Sequence, residues 1–323
     1  MSHFSTALSV AFLLATVATP AGAALEVVTT TEGLAAVAMP AGATVHVVTT
    51  TEGLAAVARE VGADGVKVIA LSRGIQDPHF VDANPSLAVK LRNADLLVDV
   101  GMDLEIGWLP PLVTQSRNSA VQPGGARRLT AAAAVSPMDL PTGAVDRGQG
   151  DIHPSGNPHF LTDPRRAVRV AAAIAGRLAE IDPGNAAGYR ERARAFEGRV
   201  VAAEKGWKAQ LAPFAGRSVI TQHKTLTYLL DWAGLKAAGY MEPKPGVAPP
   251  PSHVASLAAV VRSAGVKGVL VESYYDRRSA DQLRDIAGVK VIVIPGDVGG
   301  TKEAPDWFSC VDVLVRSLVQ AVQ

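Results

Sequence analysis

The sequence predicts an α/β protein of two lobes, each built on a mainly parallel sheet, joined by one long rigid backbone helix. Three observations carry this. Short β-rich runs alternate with helical patterns: Val45–Thr50, Val66–Leu71 and Leu96–Gly101 in the first half, then Ser218–Gln222, Gly268–Glu272 and Val289–Ile294 in the second. Alternation of this kind belongs to βαβ units. Between the halves, Asn185 to Leu211 keeps a helical apolar pattern through Tyr189, Ala193, Phe196, Val200, Ala203 and Trp207 with no proline inside it. Asp182-Pro183-Gly184 before it and Pro213 after it bound a single helix, about 40 Å long at 1.5 Å per residue.

In chain order, Ala7 to Ala18 is a mostly apolar run followed by Ala21-Gly22-Ala23. That is the core and small-residue ending of a signal peptide, too short to span a bilayer at ~20 residues. Residues 1–23 are therefore expected to direct export, although His3 is the only basic side chain ahead of the core. The string VVTTTEGLAAVA then occurs twice, at 27–38 and 47–58. Only the second copy runs on into Arg59-Glu60-Val61-Gly62 and the next β-rich run, so it should supply the first strand and helix. Two copies do not make a solenoid, and residues 24–43 are expected to be a loosely attached surplus copy.

The first lobe is expected over 44–183, the connecting helix over 184–212 and the second lobe over 213–323. Residues 114–150 are rich in Gly, Pro, Ala and Ser and read as loop with at most one strand, near Arg128–Ala132. The proline-rich stretch from Glu242 to Ser252 favours extended backbone, with Ser252 as expected N-cap of a helix over Ala255–Ala264. It reads as a rigid arch beside the cleft.

Composition excludes some classes. A formal net charge of +1 over 323 residues lacks the basic field of a nucleic-acid binder. The one cysteine, Cys310, leaves no disulfide or cysteine-based zinc cluster and offers no lipid attachment at the signal junction; it reads as a core residue of the last helix. A periplasmic protein without a membrane anchor is the simplest expectation.

The chemistry lies in three segments that each set a histidine at the edge of a lobe: Asp77-Pro78-His79-Phe80, Asn157-Pro158-His159-Phe160 and Thr221-Gln222-His223-Lys224. Imidazole is the commonest protein ligand for zinc and its neighbours. Asp297, directly after Val289–Ile294, offers a carboxylate that would complete a tetrahedral shell. In open α/β sheets ligands bind outside the carboxyl ends of strands, where His79, His223 and Asp297 are expected. Glu272 and Asp276 are the rival carboxylates. Asp297 also reads as a turn residue before Gly299-Gly300. His153 reads as a solvated loop histidine, with a role in supporting a ligand or recruiting the metal as the alternative; His253 reads as a helix-entry residue and His46 as a strand residue.

With those residues in view, the chain from about residue 45 onward resembles the cluster A-I solute-binding proteins of zinc and manganese ABC importers. The resemblance rests on VVTTTEGLAAVAREVG, QDPHF, ADLLVDVGMDLEIGWLPPL, GNPHFLTDP, TQHKTLTYLLDWAGL and GYMEPKPGVAPPPSHV, in that order. It implies two α/β lobes joined by a backbone helix with the metal in the cleft between them, and ligand positions falling on His79, His159, His223 and Asp297. It further implies a non-enzymatic periplasmic protein that captures Zn²⁺ and delivers it to a membrane permease, with manganese as the alternative cargo and a periplasmic metallochaperone as a further partner. Histidine at the third position resembles the zinc-binding members, in keeping with a nitrogen-rich shell. The long His- and acid-rich loop of many zinc-binding members is missing. A three-histidine zinc hydrolase is the runner-up; against it stand the lack of an H-E-x-x-H motif and a fourth ligand that would fill the open position.

Overall fold

The structure, a computed structural model, describes residues 43–143 and 153–323. The expected signal peptide and the first copy of the repeat lie outside the described residues, apart from Ala43. The second copy forms strand β1 (Val45–Thr49) and helix α1 (Glu52–Gly62). Thr51, extended and accepting from the Leu54 N–H, caps the helix, and Glu52 adds a negative charge to the first turn. The string TTTEG thus encodes the strand end, the cap and the helix start in five letters.

Strands β2 (Val66–Ala70), β3 (Leu96–Asp99) and β4 (Arg128–Thr130) complete the first sheet, in the order β2-β1-β3-β4 with every pairing parallel. Helices α2 (Pro85–Arg92) and α3 (Leu109–Ser116) cover one face. Because both faces are covered, the strands are apolar on both sides. Val45 and Val47 of β1, with Leu96 and Val98 of β3, point into the core around α1, while Val48 and Leu97 point into the core around α2 and α3.

Helix α4 (Pro164–Ile181) opens where Asp163-Pro164 places it: Asp163 accepts from the Arg165 N–H, and proline takes the first helical position. Helix α5 (Ala186–Leu211) is the expected connecting helix, continued by a 3₁₀ turn at each end. Its inward stripe is Tyr189, Ala193, Phe196, Val200, Trp207 and Leu211. Upstream it is tied to α1 by Arg192 donating to the Val61 carbonyl at 2.6 Å and by the Arg199–Glu60 ion pair. Downstream, Phe196 and Trp207 pack edge-on against Trp307.

The second lobe repeats the topology. Strands β5 (Ser218–Thr221), β6 (Lys236–Tyr240), β7 (Gly268–Glu272) and β8 (Lys290–Ile294) form a parallel sheet in the order β6-β5-β7-β8. Around it pack α6 (Thr227–Ala233), α7 (Pro251–Ala264), α8 (Arg278–Ala287) and α9 (Trp307–Val322), the last carrying the buried Cys310.

One strand was not anticipated from the sequence, and one helix start is corrected. Strand β6, KAAGY, has no alternation to announce it; at its Gly239 a Cβ would sit 2.9 Å from Leu257 Cδ2 of the covering helix, so that side chain would have to shift for anything larger. Helix α7 begins about one turn earlier than expected, with Pro250 at the cap position and Ser252 inside the helix. Proline needs no hydrogen-bond partner for its nitrogen in a first turn, so Pro251 extends the helix instead of delaying it.

The lobes meet closely beside the cleft. A Cβ on Gly74, in the loop after β2, would fall 2.0 Å from the Val298 carbonyl and 2.6 Å from the Gly300 nitrogen, in the loop after β8. Only glycine permits that approach.

Candidate metal centre

Each of the three candidate histidines is fixed by its own device. Asp77 Oδ1 accepts from the His79 backbone N–H at 3.0 Å and lies 2.7 Å from His79 Nδ1. The carboxylate thus shapes the turn and orients the ring at once. Its other oxygen accepts from the Tyr275 hydroxyl of the second lobe at 3.2 Å, and Trp108 Nε1 donates to the Pro78 carbonyl at 2.9 Å. Two residues before His159 the same device recurs: Asn157 Oδ1 accepts from the His159 N–H at 2.9 Å. The shared pattern is therefore Asx-Pro-His, in which a short polar side chain closes a turn over its own backbone. Asn157 also joins the lobes, since its amide donates to the Lys224 carbonyl at 2.9 Å and its own carbonyl accepts from the Tyr228 hydroxyl at 2.6 Å.

His223 stands two residues past the end of β5. Thr221 Oγ1 donates to its carbonyl at 2.7 Å, and Glu242 Oε2 lies 2.8 Å from its Nδ1. Glu242 is in turn held by the Gly246 N–H at 2.9 Å, so the proline-rich stretch serves as the seat of a carboxylate that orients His223. An ionised carboxylate can only accept, so Nδ1 of His79 and of His223 carries the proton and Nε2 presents a lone pair.

These elements bring His79, His159 and His223 together, with one ring nitrogen of each lying within 4.8 Å of the others. The ring centroids are 5.2–5.3 Å apart. His79 and His223 are buried and His159 half-buried, and the buried Nε2 of His159 has no hydrogen-bond partner. A buried nitrogen without a partner is costly in a finished fold, and here it faces two further imidazoles. Burial, with the neighbouring rings, holds His159 well below the usual histidine range. The neutral form is the one that binds metals, so the donor set fits a borderline cation such as Zn²⁺.

Asp297 is placed differently. Its Oδ2 accepts from the Gly53 N–H at 3.0 Å and its Oδ1 from the Val298 N–H at 2.8 Å, which joins the loop after β8 to the start of α1. It is not among the residues whose donor atoms converge. Burial pushes its carboxyl up to about 6, against the backbone donors that favour the charge. Of its rivals, Asp276 is exposed and paired with Arg278. Glu272, at the end of β7, is buried and pushed by burial up to about 8, which keeps it protonated in neutral solution.

His153 is found beside the cluster: its Nε2 lies 3.3 Å from His79 Nε2 and its ring centroid 5.3 Å from that of His79. The ring also donates to the Met102 carbonyl, while burial, followed by the neighbouring imidazoles, pushes it down to about 3. His253, in the first turn of α7, donates from Nε2 to the Tyr240 carbonyl at 3.0 Å, and His46 lies in β1 beside Asp95. A cavity of about 350 Å³ opens onto the cluster, lined by His153, His159, His223, Leu140, Lys224 and Pro245 among others.

Sequence reasoning assigned no role to Asp77 and Glu242. Asp77 could have been found from its matching Asn157, both two residues before a Pro-His pair. Glu242 carried no local signal, because its partner His223 is 19 residues away in sequence.

The chain was compared with known families and structures. A profile described as ZnuA, zinc-uptake complex component A periplasmic, matches residues 47–321. Among curated proteins, the high-affinity zinc uptake system protein ZnuA of Brucella abortus is 27% identical over 165 residues, 51% of this chain and 48% of that protein. The zinc-binding lipoprotein AdcA of Streptococcus pneumoniae is 24% identical over 223 residues, 68% of this chain and 43% of that protein. The chain thus spans about half the length of the curated relatives it matches. Among solved structures, a ZnuA crystal structure superposes with a TM-score of 0.73 at 20% identity, covering 87% of this chain and 100% of the other. A periplasmic metal-binding protein from Candidatus Liberibacter asiaticus does so with a TM-score of 0.71, also at 20% identity and covering 87% of this chain and 100% of the other. At that identity the likeness shows the fold.

Proposed function

We propose that this chain, which belongs to the ZnuA family of periplasmic zinc-uptake components, captures Zn²⁺ between its lobes and delivers it to the permease of an ABC importer. The observation that carries the reading is the convergence of His79, His159 and His223, two of them locked by carboxylates in the tautomer that presents Nε2. A carboxylate behind a ligating imidazole fixes the ring and raises its basicity, which is how zinc sites are tuned. Nitrogen donors favour zinc over manganese, which prefers oxygen.

The cleft also suggests how the ion leaves. His79 and His159 belong to the first lobe, whereas His223 hangs from the end of β5 in the second. A small separation of the lobes on docking would withdraw His223 while the other two keep their places, and α5, packed on both lobes, restricts a wide opening. The site is therefore one of capture and release and not of turnover. Protons compete with the metal for the imidazoles, so capture should weaken as the solution is acidified. Export by residues 1–23 and loading by a periplasmic metallochaperone complete the proposal.

The experiment is a titration of metal-free protein with Zn²⁺ in competition with Mn²⁺. One tightly held zinc per chain, not displaced by excess manganese, is the expected result, with affinity falling at least about tenfold in His223→Ala. Preferential retention of manganese, or an unchanged affinity in the variant, would overturn the assignment.

A further inference from the structure

We propose, resting on the zinc reading above, that His153 is the fourth protein ligand of the ion, so that the shell is His79, His153, His159 and His223, while Asp297 acts as a tie between the lobes.

The first reason is a distance. Four nitrogens around one zinc at about 2.0–2.1 Å stand about 3.3–3.4 Å apart along each edge of the tetrahedron. The Nε2 atoms of His79 and His153 are 3.3 Å apart. That edge of the shell is already at its coordinated length; the nitrogens of His79, His159 and His223 lie within 4.8 Å of one another, and His153, outside that trio, would draw in toward the other two on binding.

The second reason is the direction of the lone pairs. Nδ1 of His79 donates to Asp77, which leaves its Nε2 as an acceptor. His153 donates to the Met102 carbonyl; a neutral imidazole has one N–H, so the nitrogen facing His79 is also an acceptor. Two lone pairs directed at one another across 3.3 Å repel, and a cation placed between and beside them removes the repulsion. A protein carbonyl behind the ring is the same support that ligating histidines commonly use. That carbonyl stands in a turn of three left-handed residues, Gly101 (φ 85°), Met102 (φ 53°) and Asp103 (φ 61°). Non-glycine residues keep such angles only where their surroundings over-determine them.

The third reason is that Asp297 has other work. Both its oxygens accept from backbone N–H groups, one of them at the start of α1 in the opposite lobe. It lies beside the close approach of Gly74 to Val298 and Gly300, so it closes the seam on which the cleft depends. His153, in contrast, lines the cavity that leads to the cluster and presents its Nε2 3.3 Å from that of His79. An all-imidazole shell carries no carboxylate oxygen, which sharpens the preference for zinc over manganese.

The test is zinc-edge X-ray absorption on the zinc-loaded full chain, its His153→Gln variant and its Asp297→Asn variant, with zinc stoichiometry and competition affinity measured on each. The expected result is four imidazoles in the wild type and in Asp297→Asn, and one fewer in His153→Gln, whose affinity falls about tenfold or more and whose discrimination against Mn²⁺ narrows. Thermal melting of the metal-free variants separates lost ligation from lost folding. Three imidazoles with one oxygen in the wild type, unchanged by His153→Gln, would overturn the assignment of His153 and leave the zinc reading standing. A wild-type chain that holds no zinc would overturn both.

Discussion

The smallest unit with functional content is a histidine together with the side chain that aims it. His79 is paired with Asp77 at 2.7 Å and His223 with Glu242 at 2.8 Å. These contacts differ in how they could be read from sequence. Asp77 acts over two residues, and a turn of that kind is a local property of Asp-Pro-His, as it is of Asn157-Pro158-His159. Glu242 acts across the cleft arch and became visible only when the chain returned it to His223. Its replacement gives a clean measurement. Glu242→Gln keeps the size but no longer guarantees an acceptor opposite Nδ1, so zinc affinity should drop by about 10–100-fold, read by competition with a chromophoric chelator. The metal-free melting temperature should move little by comparison; equal affinity in the variant would show that the carboxylate does not orient the ring.

At the scale of elements, the connecting helix α5 is the part on which the geometry of the cleft rests. Its pattern was legible because a 3.6-residue period over 26 residues, without proline, admits few other structures. What the pattern alone did not show is that the stripe serves both lobes: Tyr189 and Ala193 lie toward α1 and α4, while Phe196 and Trp207 reach the aromatic group with Trp307 and Phe308 of α9. Phe196 is 1% exposed. Phe196→Ala should cost about 3–5 kcal/mol of stability, measured by urea unfolding of the metal-free protein. A loss below about 1 kcal/mol would mean that the lobes are coupled elsewhere. Strand β6 illustrates the opposite limit of legibility: its centre is Ala237, Ala238 and Gly239, and small residues carry no period.

Over the whole molecule, the metal-free fold stores buried acids. Burial pushes Glu105 up to about 7, with the Asp99 charge adding to it, and Glu272 up to about 8. Above the ordinary histidine range near 6.5, where the lowered His153 and His159 are neutral in fold and unfolded chain alike, these acids make the folded state bind more protons than the unfolded chain up to about 8. Linkage then makes stability fall as pH rises through that window. Metal-free protein should melt at progressively lower temperature from about pH 6.5 to pH 8, and Glu272→Gln, which has no proton to lose, should flatten the curve. A melting temperature that rises over that interval would show that these acids are ionised in the fold. Glu105 gains three donors in return for burial, the Thr50 hydroxyl at 2.6 Å and the Val100 and Gly101 N–H groups at 2.7 and 3.1 Å. Those contacts hold the ends of β1 and β3 together beside the turn that carries Met102.

The sequence by itself determined the alternation of strands and helices, the opening of α4 at Asp163-Pro164, the long connecting helix and the three histidines that converge. Each of these follows from interactions between residues close in the chain, or from a residue type with a narrow chemical use. The tertiary structure alone decided which groups stand around those histidines. It set Glu242 behind His223, turned Asp297 toward the Gly53 and Val298 N–H groups, and carried His153 to within 3.3 Å of His79. Such placements depend on how two separately folded sheets meet, and the hydrogen bonds and close backbone approaches that fix that meeting join residues as far apart as Gly53 and Asp297, 244 positions along the chain.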